Sequence, residues 1–511
     1  MCHNIAVTIT ALSLIIYFGV VNHSPARDQE LVVSQEDTVD WTSIGSSNGD
    51  RFPDFSYCGY HGSEKSLPYS DSPNVTMALP SKATEDMRPA IQQAIDTLAL
   101  SGGGVIRLPS GRLSITAGIQ LRSNIVVTGS EDGSTVIVLK SQPSKPVFTL
   151  GSLDSLDNAT EAEFRASSNI TNDYVPIGSS KLNILDSAGF SVNQSVYVAR
   201  AVTGSWVRYN GMADLRRDGA RQTWIPVGKM IMSPNKIASI NGTQITLQIP
   251  LTDALNARYM KPELLAYTPP PLNSEMGLSN LRIEVPKTCS GASLHDTTCN
   301  YAAVAFPSWT VDSWASGLDL VGFNSFFDIR EDASRITIQN STMNRNRDIK
   351  GKALPIDILI KGSQVLIQDC SQVGLRTARC FSVATDSLTA GPNVVARHAT
   401  TSKIQTIAPH ERWAQGLLVE MTSVPTLFED RGTKGTGHGW TMNAGVGWNL
   451  KGEAVFQSPP LGINWCIGCG GKDRAAGNAT FIRDGKQVKP QSLFAAQLQA
   501  RGVEWHTKEY S

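Results

Sequence analysis

Residues 84–111 read TEDMRPAIQQAIDTLALSGGGVIRLPSG. The first half of this stretch predicts a helix, because acidic residues and a proline occupy its first turns and apolar residues recur at helical spacing from Ile91 to Leu98. Three glycines end the helix, and the apolar run after them predicts a strand. The stretch therefore places one helix directly before the first strand of a β-structure.

Short β-rich runs then recur to about residue 480, mostly bounded by Gly, Asn, Asp or Ser. Strong helical periods are absent between them, which disfavours a βαβ sheet. Many short strands, often roughly 20–30 residues apart, predict an all-β, right-handed parallel β-helix whose coils bury apolar side chains against one another. A β-sandwich is the alternative. The predicted strands include Ile125–Val127, Thr135–Leu139, Gln244–Ile249, Leu281–Val285, Arg335–Ile338, Ile356–Ile360 and Gln364–Ile367.

The predicted organisation is a single β-helix domain over residues 27–511. Residues 27–100 form an N-terminal extension and a capping helix that protects the strand edges at one end of the stack, and residues 481–511 form a C-terminal tail. Residues 200–221 are predicted to be a long loop that shapes a binding groove, or otherwise a solvated charge cluster. This segment contains Trp206, Arg208, Tyr209, Arg216, Arg217 and Arg221.

The composition narrows the class of function. Of 511 residues, 41% are hydrophobic and 18% charged, which permits a packed interior and excludes wholesale disorder. Basic and acidic residues number 45 each. Nucleic-acid binding proteins usually carry a basic excess, so we expect no nucleic-acid partner.

Two features predict export. Residues 1–26 are predicted to be a signal peptide, because Ile5–Val21 is mostly apolar and polar residues follow it, although no Lys or Arg precedes it. A signal anchor is the alternative; after cleavage, no membrane association is expected. Seven glycosylation sequons follow, typical of a secreted eukaryotic glycoprotein. Their asparagines are Asn74, Asn158, Asn169, Asn193, Asn241, Asn340 and Asn478.

Cysteine spacing predicts three disulfides in an oxidising compartment. Cys58 is then left over. A redox or zinc motif is the alternative for the last pair, but neither a second CxxC nor a nearby His pair accompanies it, and free buried thiols are the alternative for all of them. The three predicted pairs are Cys289 with Cys299, Cys370 with Cys380, and Cys466 with Cys469.

The helix and strand of residues 85–111 resemble the entry segment of the pectate lyase-like superfamily. That resemblance implies a right-handed parallel β-helix acting on polysaccharides, and does not settle which reaction, because the superfamily includes lyases, hydrolases, epimerases and phage tailspikes. Gly435–Gly439 also resembles the glycine–histidine–glycine motif of polygalacturonases. The Asn-Thr-Asp, paired-Asp and Arg-Ile-Lys motifs of that family do not stand at matching places, so its mechanism is not carried over.

A repeat of 28 residues suggests where a site lies. His410 precedes His438 by this interval, and Arg412 precedes Trp440 by the same interval. If one coil has this length, neighbouring coils bring these four side chains together, and the alternation of a strand points them to one outer face. The same alternation points Glu420 outward.

These residue types suit β-elimination from a uronic-acid polymer. Arg412 would neutralise the substrate carboxylate, and His410 and His438 would act as base and acid. Trp440 would stack on a sugar, and Glu420 and Asp430 would also bind substrate. No cofactor is expected; Ca²⁺ replaces the arginine in related enzymes, but no acidic cluster for it stands out here.

Two other classes of function remain open. A glycoside hydrolase would use a carboxylate pair such as Asp430 with Glu420 or Asp386. A non-catalytic polysaccharide-binding or cell-wall protein would need neither imidazole. In each case the expected partner is a polysaccharide and the expected state is a secreted monomer.

Overall fold

The computed structural model describes residues 37–68, 72–82, 84–140, 145–157, 161–285, 302–346, 354–402, 404–470 and 475–503. Three predictions lie outside these residues: the signal peptide over residues 1–26, the pair Cys289–Cys299 and the sequon at Asn158. Within the described residues, every helix is too short or too polar to cross a membrane.

The chain forms a right-handed parallel β-helix, as predicted. Outside residues 161–268, every pairing between described strands is parallel. A larger sheet of 18 strands runs the length of the coil stack. Its strands are Val75–Thr76, Gly104–Arg107, Gly111–Ile115, Ile125–Thr128, Thr135–Leu139, Asn273–Ser274, Gly277–Glu284, Thr310–Val321, Ser334–Gln339, Thr342–Arg345, Leu366–Gln368, Ser371–Gly374, Asn393–Ala396, Ala399–Thr400, Leu417–Glu420, Val446–Trp448, Trp465–Ile467 and Thr480–Ile482.

A second sheet of ten strands forms another face of the stack, with each strand pairing to the next along the chain. Ala414–Gln415 and Met442–Asn443 form a further parallel pair. The strands of the ten-stranded sheet are Ile119–Leu121, Phe148–Leu150, Ala302–Phe306, Ser325–Ile329, Ile356–Ile360, Phe381–Thr385, Thr406–Ile407, Thr426–Phe428, Ala454–Phe456 and Ala475–Ala476.

Alternation along each strand builds the core. In Thr135–Leu139 the first, third and fifth side chains are buried and the other two are partly exposed. Inward side chains of successive coils stack into one apolar interior, so each coil covers its neighbours. Leu417 and Val419 belong to this interior, as predicted.

The predicted capping helix spans Arg88–Leu100 and packs against the first strands of the stack. Its Ile91 and Ile95 are fully buried against the coil interior. The chain then turns at Gly103, where φ is +100° and a Cβ would collide with the Asn124 carbonyl oxygen. Only glycine allows this close approach, which explains the glycine run after the helix.

Residues 161–268 form an insert between two coils. Its six-stranded sheet is antiparallel, and its core includes Trp206 and Trp224 together with Trp413 of the coils. The strand Ile125–Thr128 nevertheless pairs directly with Gly277–Glu284, so the stack continues across the insert. The six strands are Glu163–Asn169, Lys181–Asn183, Ser195–Ala201, Met230–Asn241, Gln244–Leu247 and Pro262–Thr268.

The predicted loop over residues 200–221 is instead largely ordered structure within the insert. It contains the helix Gly204–Tyr209 and the hairpin strands Arg216–Arg217 and Ala220–Arg221. Tyr174–Val175 and Leu255–Asn256 form another antiparallel pair. Short helices also occur at Phe55–Tyr57, Tyr60–Ser63 and Asp154–Asp157.

The two ends of the described chain cover the outer face of the larger sheet. The helix Leu493–Ala500 and the segment around Phe52 pack on outward side chains such as Trp448 and Trp465. Leu418, which alternation turns outward, is buried in this layer. The predicted C-terminal tail is therefore a docked helix over this part of its length.

One of the two testable disulfides is present. Cys466 and Cys469 are bonded, with an S–S distance of 2.08 Å. The predicted Cys370–Cys380 pair is wrong, because Cys370 precedes a strand of the larger sheet and Cys380 precedes a strand of the ten-stranded sheet. Both thiols are buried, and the Cys380 thiol donates to Asp357 Oδ2 at 3.2 Å. Cys58 is a free buried thiol.

The six described sequon asparagines are all exposed, which is what attachment of a glycan requires. Glycosylation itself stays a prediction. The asparagines are Asn74, Asn169, Asn193, Asn241, Asn340 and Asn478.

Candidate functional site

A groove of about 1010 Å³ runs along the outer face of the ten-stranded sheet. Its floor comes from outward side chains of successive strands, among them Asp328, Ile356, Leu359 and Phe381. Its rim comes from residues that follow those strands and from one hairpin of the insert. The rim residues are Arg217, Arg330, Lys361, His410, Arg431, Thr433, Lys434, Gly435 and His438.

The 28-residue repeat brings His410 and His438 together, as predicted. Ala414 pairs with Met442 and Leu418 with Val446, each 28 residues further along the chain. The two imidazole rings lie 4.8 Å apart between centroids, and both line the groove.

His410 lies between charged groups of both signs. Its ring nitrogen and the carboxylates of Asp386 and Glu411 offer ligand atoms within 4.8 Å of one another. Burial and the nearby Arg431 guanidinium lower the pKa of His410, although the two carboxylates oppose them. The imidazole is therefore neutral at neutral pH, the form that accepts a proton.

His438 is held in the neutral form more strongly. Burial, Arg431 and His410 lower its pKa to about 3. Its Nε2 lies 3.2 Å from Glu411 Oε2. Gly435 packs so closely on the ring that a Cβ there would collide with Nε2. His438 is thus a tightly packed neighbour of His410.

Basic side chains outnumber acidic ones in the groove wall, although Arg217, Arg431 and Lys434 also lie within 4 Å of carboxylates of Asp218 or Glu429. Six guanidinium or ammonium side chains line it, while Asp328 is the one carboxylate among the described residues that do so. Lys361 pairs with Asp386 behind the wall at 2.8 Å, and Arg330 pairs with Asp328 at 2.9 Å. Such a concentration of positive charge in a cleft attracts a polyanion. The six cations are Arg217, Arg330, Lys361, Arg379, Arg431 and Lys434.

Asp328 is a candidate proton donor. Burial raises its pKa, although Arg330 and Lys361 oppose the shift. Its Oδ1 is buried and accepts no hydrogen bond. A carboxyl group with a raised pKa in a cleft is a frequent sign of a functional site.

Arg412 and Trp440 do not line the groove, contrary to the predicted four-residue patch. Arg412 Nε donates to the Trp224 carbonyl oxygen at 2.6 Å, and the rest of the guanidinium contacts Thr436 and Glu411. Trp440 Nε1 donates to the Asn210 carbonyl oxygen at 2.9 Å. Both side chains therefore face the insert. The cause is a turn: φ is +47° at Arg412, which interrupts the alternation expected of a strand.

The predicted outward position of Glu420 is occupied by the covering helix. Glu420 is fully buried and accepts hydrogen bonds from Ser492 Oγ at 2.6 Å and from the Leu493 and Phe494 amides. It caps the helix N-terminus and does not line the groove.

Asp430 does not line the groove either. Its Oδ1 accepts a hydrogen bond from the Gly432 amide at 2.8 Å, within its own turn. The neighbouring Arg431 occupies the rim instead.

Within the part of the chain that the structure describes, two groups of residues could offer ligand atoms to a metal ion: Asp386, His410 and Glu411, and, away from the groove, His61, Glu275 and Asp312. In both groups, cationic side chains already pair with carboxylates. Lys361 pairs with Asp386 and Arg412 with Glu411, and Arg335 binds both oxygens of Asp312. The donor sets therefore serve as ion-pair networks.

The groove cations were missed by the sequence analysis, although a signal exists. Arg330 follows the strand Ser325–Ile329 directly, and Lys361 follows Ile356–Ile360 directly. Because parallel strands lie ~4.8 Å apart, residues after successive strand ends form a row along one edge. Charged residues at this recurring place mark the rim.

No protein-family model matches the chain, and no curated protein matches it. Among solved structures, the chain is similar to the tailspike Gp54 of Acinetobacter baumannii bacteriophage AP22 in complex with capsular saccharide (TM-score 0.32, 9% identity, 80% of this chain and 71% of that chain). It is also similar to the tailspike of E. coli bacteriophage HK620 in complex with a pentasaccharide (TM-score 0.35, 11% identity); this match covers 79% of this chain and 50% of the tailspike. The A-module of the Azotobacter vinelandii mannuronan C-5 epimerase AlgE6 is a third similar structure (TM-score 0.35, 10% identity, 80% and 94% covered).

Proposed function

We propose that the protein binds an acidic polysaccharide in the groove and cleaves it by β-elimination. The observation that carries this proposal is that two neighbouring neutral imidazoles line the same groove as six basic side chains. The cations suit a polyanion, and a neutral imidazole suits removal of a carbon-bound proton.

In this mechanism the groove cations neutralise the carboxylate of one uronic-acid residue, which acidifies the proton at C5. Arg431, Lys361 and Arg379 replace Arg412 in this role, because they line the groove. His410 removes the C5 proton, the C4–oxygen bond breaks, and a C4–C5 double bond forms. The electron pair of the broken bond stays on the leaving oxygen, which takes a proton from solvent water; Asp328, which pairs with Arg330, would give this proton only in its protonated form.

The groove gives less support to a carboxylate-pair hydrolase. Inverting and retaining glycosidases each need two carboxyl groups across the scissile bond. Among the described wall residues, Asp328 is the only one with a carboxyl group. Of the predicted pair members, Glu420 lies beneath the C-terminal helix and Asp386 is paired with Lys361.

We also propose that the chain is an exported glycoprotein related to the pectate lyase-like superfamily. The exposure of the six described sequon asparagines supports this proposal. Mass spectrometry of the protein expressed in a eukaryotic host, before and after glycosidase treatment, tests it.

The activity is tested by ultraviolet absorbance at about 235 nm on a panel of polyuronates, since base-catalysed elimination leaves a double bond conjugated to the carboxylate. We expect absorbance to rise with at least one polymer. His61→Gln is a matched control, because His61 pairs with Glu275 outside the groove. Reducing ends without absorbance would show hydrolysis, and binding without either product would show a binding protein.

The pH dependence of elimination should report the environment of His410. Because burial and Arg431 lower its pKa, the neutral base persists at pH values below the ordinary histidine range. We expect the acid limb of kcat/KM to have its midpoint below ~6.5. Arg431→Gln removes the larger of the two cationic causes, the other being Arg412, so it should move the midpoint upward. A midpoint that stays or falls in this variant would contradict the assignment of His410.

A further inference from the structure

The insert places an arginine-rich hairpin at the rim of the groove. Arg216–Arg217 pairs with Ala220–Arg221, and Asp218 and Gly219 form the turn with φ of +51° and +81°. Arg217 lines the groove, and its Nη1 donates to the Gly435 carbonyl oxygen at 3.0 Å. Gln222 Nε2 donates to the same oxygen at 3.0 Å. The hairpin is thus fixed to the loop that carries His438.

The opposite face of the hairpin carries a pair of like charges. Arg216 and Arg221 lie directly opposite each other in the register, and strand alternation turns both away from the face of Arg217. Both are exposed. Their hydrogen bonds go to backbone carbonyl oxygens of Gly219 and Ala213, at 3.4 and 3.2 Å. Within the described residues, neither forms an ion pair with a carboxylate.

Like charges directly opposite in a β-ribbon destabilise it. An anion between them removes this repulsion and accepts hydrogen bonds from two guanidinium groups. The hairpin therefore presents a site that is electrostatically incomplete without a ligand. Arg217 lines the groove from the other face of the same hairpin, so one two-stranded ribbon separates this pair of arginines from the groove.

We propose that Arg216 and Arg221 form an outer subsite that binds a further acidic group of the polysaccharide, beyond the sugar residues held in the groove. This inference rests on the proposed function, since it takes the same polymer as the ligand. A polymer chain that leaves the groove and passes around the hairpin reaches this outer face. Long substrates then bind more tightly than short ones.

The test compares binding of a uronic-acid disaccharide and a long oligouronide by isothermal titration calorimetry. Both ligands come from the polymer that the wild-type protein binds. If the wild-type protein cleaves the long oligomer, all measurements are made in proteins that also carry His410→Gln. The double variant Arg216→Ala with Arg221→Ala should raise the Kd of the long oligomer about 10-fold or more, the loss expected for charge-assisted hydrogen bonds. The Kd of the disaccharide should not change, and the salt dependence of long-oligomer binding should decrease.

Arg165→Ala is the matched control, an exposed arginine of the insert that pairs with Glu163. Unchanged long-oligomer binding in the double variant, or equal losses on both ligands, would overturn the outer subsite. So would a wild-type protein that binds no polyuronate, which would overturn the substrate class as well. If the protein catalyses elimination but its binding does not depend on the arginine pair, only the outer subsite is refuted. If binding depends on the arginine pair but no elimination occurs, only the proposed reaction is refuted.

Discussion

His410→Gln should lower kcat for β-elimination by about 10²- to 10⁴-fold, the usual contribution of a positioned general base. Glutamine keeps much of the volume and polarity of the side chain but cannot accept the C5 proton at neutral pH. KM should change little, because the cations that bind the substrate carboxylate remain. Steady-state kinetics at about 235 nm, with circular dichroism as the folding check, measures the effect.

His438→Gln should cost less than His410→Gln. The Nδ1 of His438 is buried without a hydrogen-bond partner, and its Nε2 contacts Glu411. This ring therefore supports His410 by packing, and its loss leaves the base in place. His61→Gln should retain wild-type kcat. If kcat fell more in His438→Gln than in His410→Gln, His438 would be the base, and the assignment of His410 would be refuted.

Asp253→Ala should lower the free energy of unfolding by about 3–5 kcal/mol, the cost of breaking a buried ion pair. Asp253 accepts hydrogen bonds from Arg200 at 2.8 Å and from Asn443 at 2.8 Å, and Trp413 Nε1 lies 3.4 Å away. Arg200 belongs to the insert, while Asn443 and Trp413 belong to the coils. Alanine leaves a buried guanidinium unpaired at this junction. Denaturant unfolding followed by tryptophan fluorescence measures the loss.

Asp218→Asn is the control for this prediction, because the Asp218 side chain is 94% exposed and asparagine tolerates its positive φ, so the replacement should cost within about 0.5 kcal/mol. The double variant Arg200→Met with Asp253→Leu should recover part of the loss, since it removes both buried charges. If Asp253→Ala proved as stable as the control, the buried contacts of Asp253 with Arg200 in the insert and with Asn443 in the coils would not stabilise the junction.

Local sequence pattern predicts individual strands well and their partners less well. Thr135–Leu139 and Ile356–Ile360 have the predicted bounds, because alternation of side chains depends on the strand alone. Gln244–Leu247 is also a strand, but it pairs antiparallel inside the insert. The partner of a strand depends on chain far away in sequence, which its own residues do not encode.

Regular coil spacing also predicts part of the candidate site, while contacts that depend on irregular turns or on distant parts of the chain were not predicted. The 28-residue register predicted the contact of His410 with His438 because both follow regular coil spacing. The left-handed turn at Arg412 was invisible in the sequence, since non-glycine residues rarely adopt it. The burial of Glu420 could not be predicted for another reason. Its hydrogen-bond partners lie 72 to 74 residues later, in and just before a helix of the segment predicted to be a C-terminal tail.

The continuity of the coil stack across residues 161–268 bears on how such a protein diversifies. Because Ile125–Thr128 pairs directly with Gly277–Glu284, the rungs on either side need nothing from the intervening chain to hold their register. A module of different specificity can be exchanged at this junction without rebuilding the spiral. Such a module would have to supply apolar surface for Trp413 and a buried hydrogen-bond acceptor for Asn443.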